Sequence, residues 1–316
     1  MCAALALAER GRGQTAPNPS VGCLIVQGKQ VVGRGWTQPG GRPHAEAMAL
    51  AQAGAAARGA TAYVTLEPCA HQSLRGRACA DILVEAGISR LVCAMSDPDP
   101  RTNGAGAARL MDAGVEVAMG ICAAGAARSM AGFLARQALG RPAVTLKLAT
   151  SLDGCIALAS GESRWITGAQ ARAHTHMERA RHDAILVGRG TLAADAPQLD
   201  VRLAGLEHRA PRRVLLSRSA PPQGWAAVAS PAAIAALDAV NDLLVEGGAQ
   251  TAAAFLERDL VDKLLLYRAP ILVGQGKAAL GDIGLASLAS AHGRWRLVDT
   301  RLLGSDRMEH YERVRG

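Results

Sequence analysis

Two short groups restrict this chain more than anything else in it: His44-Ala45-Glu46, and Glu67-Pro68-Cys69 with Cys79 ten positions beyond the first thiol. Pro43 precedes the first group and an Ala-rich run follows, so His44 and Glu46 are predicted to open a helix over 44–57. The apolar string 61–66 is predicted as a strand that runs straight into Cys69. A helix start and a strand end are both places where backbone N–H groups point outward, which favours carboxylate and thiolate.

One imidazole and two thiols are the protein ligands of a catalytic zinc, whose fourth position stays open for water. His44, Cys69 and Cys79 are therefore the predicted ligands of one zinc ion per chain, and Glu46 is the predicted catalytic acid–base that does not bind it. Zinc lowers the pKa of its water from about 15.7 to roughly 7, which suits attack on an amidine-like ring carbon. Glu46 would carry the water's proton to the ring nitrogen and to departing ammonia. His-x-Glu followed by Pro-Cys and a later Cys is the signature of zinc deaminases. Taken singly, each of these residues is more often structural; their combination points to metal chemistry.

The chain has 316 residues, enough for about two domains with separate cores. Apolar residues make up 49%, without an uncharged run long enough to span a bilayer, so a soluble protein without a membrane partner is expected. Met1–Ala8 lacks a basic leader region and reads as an opening helix. Seven cysteines, two of them claimed by metal, make no disulfide framework, and a reducing cytoplasm is expected. The other five (Cys2, Cys23, Cys93, Cys122, Cys155) read as small core residues. A net charge of +8 suits nucleic acid, yet aromatics at 3% leave little for base stacking, and no nucleic-acid partner is expected. A phosphorylated small-molecule substrate accounts for a basic surface equally well.

Strands over 21–26 and 30–35 form a predicted hairpin, followed by the helix from 44 and the strand 61–66. A helix over 80–86 stops at Gly87, and strands at 90–95 and 115–119 flank a helix at 106–113. This alternation implies an α/β/α sandwich, with the metal beyond the strand ends. A helix over 122–139 ends at Gly140-Arg141-Pro142, which sets expected domains of 1–140 and 141–316. In the second, the strand 143–149 buries Lys147, which then requires an anionic or hydrogen-bonding partner. Glu246-Gly247-Gly248 stands between a strand and a helix near 251–258, a turn suited to cofactor phosphates. His174, His176 and His182, irregularly spaced, read as solvated or packing residues rather than a second metal site.

Pro17-Asn18-Pro19-Ser20-Val21-Gly22 and the segment Pro68-Cys69-Ala70-His71 to Arg75-Gly76-Arg77-Ala78-Cys79 resemble the pyrimidine-deaminase half of the bifunctional deaminase–reductases of riboflavin synthesis. That family usually reads Pro-Cys-Ser-His-His-Gly-Arg-Thr-Pro-Pro-Cys; the present segment is one residue longer and lacks Thr-Pro-Pro. The reductase half is resembled by Gly161-Glu162-Ser163-Arg164-Trp165-Ile166-Thr167, Asp195-Ala196-Pro197-Gln198-Leu199-Asp200-Val201-Arg202 and Val245-Glu246-Gly247-Gly248. Ser217 stands where many relatives have Asp.

The resemblance implies a cytidine-deaminase-like domain followed by a dihydrofolate-reductase-like α/β domain. It implies deamination of 2,5-diamino-6-ribosylamino-4(3H)-pyrimidinone 5′-phosphate, then NADPH-dependent reduction of the ribosyl group to ribityl, in a homo-oligomer. Asn18 and His71 are the implied deaminase substrate contacts. For the reductase, Lys147, Ser163, Arg179, Leu199, Arg202 and Glu246 are implied at the substrate, and Ala149, Trp165, Thr191, Asp195 and Gly248 at the cofactor. Two other readings stay open at this stage: a nucleoside or tRNA deaminase with an accessory domain, and a non-catalytic protein whose zinc is closed by a fourth ligand.

Overall fold

The computed structural model describes residues 1–72 and 75–315, so Ser73 and Leu74 of the inter-cysteine segment lie outside the described residues. The chain divides into two units, Met1–Gly140 and Arg141–Gly316.

In chain order the first unit holds α1 (Cys2–Ala8), β1 (Gly22–Gln27), β2 (Gln30–Trp36), α2 (Ala45–Ala53), β3 (Thr61–Val64) and α3 (Cys79–Glu85). Then come β4 (Arg90–Cys93), α4 (Ala105–Asp112), β5 (Glu116–Ala118), α5 (Ala123–Ser129) and α6 (Ala131–Leu139). The sheet runs β2-β1-β3-β4-β5, antiparallel at the hairpin end and parallel from β3 to β5. Two glycines seat the helices. A Cβ on Gly22 would lie 1.9 Å from the Ala4 carbonyl of α1, and one on Gly35 would lie 2.0 Å from the Ala45 carbonyl of α2. Gly35 pairs with Cys23, the neighbour of Gly22 on β1, so the two glycines face opposite sides of the pleat. Helices thus cover both faces of the sheet, the α/β/α sandwich read from the sequence, around Cys23, Ile25, Val64, Leu83 and Leu91.

Local boundaries differ from the sequence expectations for identifiable reasons. The helix expected over 44–57 stops at Ala53, where Gly54 takes φ 54°, and 54–57 forms a 3-10 turn. The strand expected to reach Leu66 leaves its ladder after Val64. The helix expected over 122–139 is broken at Met130, at φ −108° and ψ 21°. Cys23, Cys93 and Cys155 are buried as expected, whereas Cys2 and Cys122 are exposed.

The second unit begins with β6 (Ala143–Thr150), β7 (Cys155–Leu158), α7 (Ala169–Ala180), β8 (Ala184–Gly188), α8 (Arg189–Asp195), β9 (Arg212–Leu216) and β10 (Ala226–Val228). It continues with β11 (Asp242–Val245), α9 (Ala249–Glu257), β12 (Lys263–Arg268), β13 (Gly276–Ala278), β14 (Trp295–Leu303) and β15 (Asp306–Arg313). Eight strands form one sheet in the order β10-β9-β8-β11-β6-β12-β15-β14, parallel up to β12, with β7 and β13 paired separately. All five residues of β8 are buried, as expected of a parallel strand covered on both faces. The chain crosses from β6 to β8, continues outward to β10, and returns to insert β11 between them. Strand order therefore reverses around β11, and a crevice opens beyond the carboxyl ends of β6, β8 and β11. Among the described residues no helix is long and apolar enough to cross a membrane.

Candidate active sites

His44 is the residue immediately before α2, in extended conformation, and its side chain makes no capping hydrogen bond to that helix. Cys79 is the first residue of α3 and donates its backbone N–H to the Cys69 sulfur at 3.3 Å. His44 Nδ1 lies 3.2 Å from Cys79 Sγ and 3.7 Å from Cys69 Sγ. The three donor atoms fall within 4.8 Å of one another, close enough to share one ion. The hydrogen bond between the thiols outweighs burial and draws Cys69 down to about 4, while Cys79, sharing that bond and deeply buried, is pushed up. Glu46, in the first turn of α2, is only 3% exposed, and burial raises its carboxyl despite the opposing pull of His44. An imidazole and two thiols, one of them inclined to thiolate, with a buried carboxyl alongside, form a donor set that fits catalytic zinc.

Asn18 donates from Nδ2 to the Gly41 carbonyl at 2.9 Å, and the same nitrogen lies 3.2 Å from His44 Nε2. A side chain on Gly41 would collide with it, since a Cβ there falls 2.7 Å from Asn18 Cγ. His71 Nδ1 sits 3.4 Å from Thr102 Oγ1. Asn18, His44, Glu46, Cys69 and His71 line one cleft of about 310 Å³, together with Asp97 and Arg75. Burial pushes Asp97 up to about 6.

Glu67 received no role from the sequence. Its buried carboxylate accepts four backbone N–H bonds, from Asp97 at 3.2 Å and from Gly104, Gly106 and Ala107 at 3.0 Å. It thereby ties the start of α4 and the 97–104 loop to the Pro68-Cys69 segment. Gly106 completes the contact, because a Cβ there would stand 1.9 Å from the Pro68 carbonyl. Arg42 was also missed: it lines the cleft two residues ahead of His44. The acidic Glu67 directly before Pro68 was the available signal; Arg42 gave none.

In the second unit Lys147, on β6, places Nζ 3.7 Å from Glu246 Oε2 just past β11, the anionic partner its burial required. Arg179 of α7 binds the same carboxylate from Nε at 2.8 Å and Nη2 at 2.9 Å, and gives Nη1 to the Asp200 carbonyl at 3.0 Å. Burial alone would raise Glu246, but Lys147 and Arg179 outweigh it and hold the carboxyl at about 2. Ser163, Trp165, Thr191, Asp195, Leu199 and Arg202 line the same crevice as this trio. Ala149 and Gly248 line an adjoining cavity of about 750 Å³ that shares Lys147 and Ser163. Leu199 is buried at φ 54°, a left-handed conformation for a side chain packed into a small apolar cluster. Trp165 is 63% exposed with the Arg172 guanidinium 4.7 Å from its ring centre, so it faces the crevice and does not fill the core.

The turn before α9 is bare of side chains for a steric reason. A Cβ on Gly247 would come within 2.4 Å of Thr251 Cβ, and one on Gly188 within 2.2 Å of Thr251 Oγ1. Gly248 N–H donates to Thr191 Oγ1 at 3.1 Å. Glycines at a helix N-terminus beside a large crevice fit the phosphates of a nicotinamide dinucleotide. Ser217, just beyond β9, accepts from Arg189 Nη2 at 2.6 Å. His182 packs inside, its Nε2 3.0 Å from Thr145 Oγ1, and His174 Nδ1 is 2.7 Å from the Tyr267 hydroxyl.

Comparison with known proteins defines the class first. Residues 1–95 match the cytidine and deoxycytidylate deaminase zinc-binding region, and residues 142–308 match the RibD C-terminal domain. The chain joins a zinc-binding deaminase domain to a reductase domain, and the latter implies a nicotinamide cofactor. It is 38% identical to the riboflavin biosynthesis protein RibD of Escherichia coli, over 97% of this chain and 96% of that one. Identity to RibD of Mycobacterium tuberculosis is 40%, over 93% and 91%. Among solved structures, Acinetobacter baumannii RibD superposes with TM-score 0.87 at 37% identity, covering 99% of this chain and 98% of the other. A diaminohydroxyphosphoribosylaminopyrimidine deaminase/5-amino-6-(5-phosphoribosylamino)uracil reductase from Thermotoga maritima superposes with TM-score 0.90 at 30% identity, covering 99% and 97%. The chain belongs to the RibD family and is a deaminase and NADPH-dependent reductase of riboflavin biosynthesis. A nucleoside or tRNA deaminase with an accessory domain is not favoured by these matches.

Proposed function

We propose that residues 1–140 hydrolyse the exocyclic amine of 2,5-diamino-6-ribosylamino-4(3H)-pyrimidinone 5′-phosphate, and that residues 141–316 reduce the ribosyl group of the product to ribityl. The observation that carries the first assignment is the convergence of His44, Cys69 and Cys79 donor atoms within 4.8 Å beside the buried Glu46. These three side chains would hold zinc, which when bound would supply a water ionisable near neutral pH. Glu46 accepts the proton of the attacking water and delivers it to the ring nitrogen, then takes the proton of the newly formed hydroxyl and hands it to the amine, which leaves as ammonia as the carbonyl forms. Asn18, rigid between Pro17 and Pro19, presents its amide to the pyrimidine edge, and His71 and Arg75, which line the same cleft, take the ribosyl phosphate.

In the second domain NADPH, when bound, would supply the hydride. Ala149, Trp165, Thr191, Asp195 and Gly248 form its seat, with the bare α9 N-terminus at its phosphates. The Lys147 ammonium, backed by the ionised Glu246, donates to the sugar oxygen and polarises the carbon that receives hydride. Arg202 reaches for the phosphate with its exposed fork; Arg179 stays in the substrate site as the group that aims Glu246. Ser163 and Leu199 shape the sugar pocket. The protein works in the cytoplasm as a homo-oligomer. Supplying the diaminopyrimidine phosphate with and without NADPH, and identifying products by mass, tests the whole reading. The expected products are the deaminated ribosyl compound without NADPH and the ribityl compound with it. Absence of ammonia release and of NADPH oxidation alike would reject it.

A further inference from the structure

Four arginines stand on or near the loops around the deaminase cleft, and their partners differ. Arg101 is committed to Asp99, with Nε 3.0 Å from Oδ1 and Nη2 2.5 Å from Oδ2. Arg77 is engaged by both oxygens of Glu85 and does not line the cleft. Arg75 lines the cleft and donates from Nη2 to the Gly40 carbonyl at 2.6 Å. Arg42 lines it too, is half-buried, and has no carboxylate partner among the described residues.

The Arg42 guanidinium lies against the backbone of the inter-cysteine loop: a Cβ built on Gly76, whose φ is +149°, would fall 2.6 Å from Arg42 Nη1. Two residues before Arg42, the Gly40 carbonyl receives Arg75. Residues 40–42 and 75–76 therefore lie together, and both arginines line the cleft that also holds His44, Glu46 and Cys69. Four carboxylates line that cleft, and among the described residues none forms an ion pair with Arg42: Asp99 is taken by Arg101, Glu67 by four backbone N–H groups, and Glu46 and Asp97 are buried. A half-buried cation without an anion is costly unless a ligand supplies one, and the planar fork suits a phosphate.

We propose that Arg42 is a specificity-determining residue of the deaminase site, reading the phosphate of its substrate together with Arg75; the proposal rests on the deaminase reading above. Ammonia release is measured for wild type, Arg42→Gln, Arg42→Lys and Arg77→Ala, on the phosphorylated diaminopyrimidine and on the same compound after phosphatase treatment. Arg42→Gln is expected to lower kcat/KM on the phosphorylated compound about 10- to 100-fold, mainly through KM, with unchanged values on the dephosphorylated one. Arg42→Lys recovers part of the loss, and Arg77→Ala matches wild type. Inorganic phosphate is expected to inhibit wild type competitively and Arg42→Gln much less. An equal loss on both compounds makes Arg42 merely structural and overturns the proposal, as does no loss on either. Selective loss in Arg77→Ala instead of Arg42→Gln overturns it as well. Wild type that releases ammonia from neither compound brings down the deaminase reading itself, an outcome visible without any variant.

Discussion

Arg179 clasps both carboxylate oxygens of Glu246, Nε to Oε1 at 2.8 Å and Nη2 to Oε2 at 2.9 Å. Its remaining donor, Nη1, goes to the Asp200 carbonyl, so the guanidinium joins α7, the Asp200 loop and the end of β11. Arg179→Lys cannot reproduce that fork and is expected to lose NADPH oxidation by about 100-fold, with ammonia release unchanged. Steady-state rates of the two half-reactions on the same preparation check this.

The same carboxylate makes the second unit acid-sensitive. Glu246 sits at about 2 in the folded chain, against an ordinary glutamate value of about 4.3 once unfolded. A depressed carboxyl stabilises the fold above the unfolded value, and that stability fades as pH falls through the folded one. Between about pH 4.5 and 2 the wild type is expected to lose on the order of 3 kcal/mol from this group. Denaturant titrations across that window should show a steeper pH dependence in wild type than in Glu246→Gln.

Glu46→Gln keeps the shape of the side chain and removes its proton-carrying capacity. The variant is expected to bind zinc as wild type does while ammonia release falls about 100- to 10,000-fold. Metal analysis alongside an ammonia assay decides it; unchanged turnover would reject Glu46 as the proton carrier.

How much of this could be read before the structure depended on how local the determinants were. The metal ligands and Glu46 sit in short motifs beside a helix start, and Lys147 announced its need for an anion by the cost of burying a charge in an apolar strand. Glu67 could not be assigned, because its four partners lie between Asp97 and Ala107, brought back only by the return of the chain to α4. Arg42 gained meaning only when the 75–76 backbone came to rest against it. The insertion of β11 between β8 and β6 left no trace in the sequence, since strand order is set by where the chain returns and not by the residues of any one strand. The break at Met130 involves neither proline nor glycine at that position, so nothing in the string marked it.

The two activities are expected to separate cleanly. Lys147→Ala or Asp195→Asn should leave deamination intact and cut NADPH oxidation about 100-fold or more. Product masses from each variant would show the deaminated ribosyl compound accumulating. Loss of both activities together would argue against independent sites.

The most direct test is elemental analysis of the purified chain, repeated after substitution of the three converging donors. One zinc per chain is expected in wild type, with the metal lost from His44→Ala, Cys69→Ser and Cys79→Ser, and chelation is expected to abolish ammonia release until zinc is returned. A purified chain without bound divalent metal, whose hydrolysis zinc does not restore, would contradict the account.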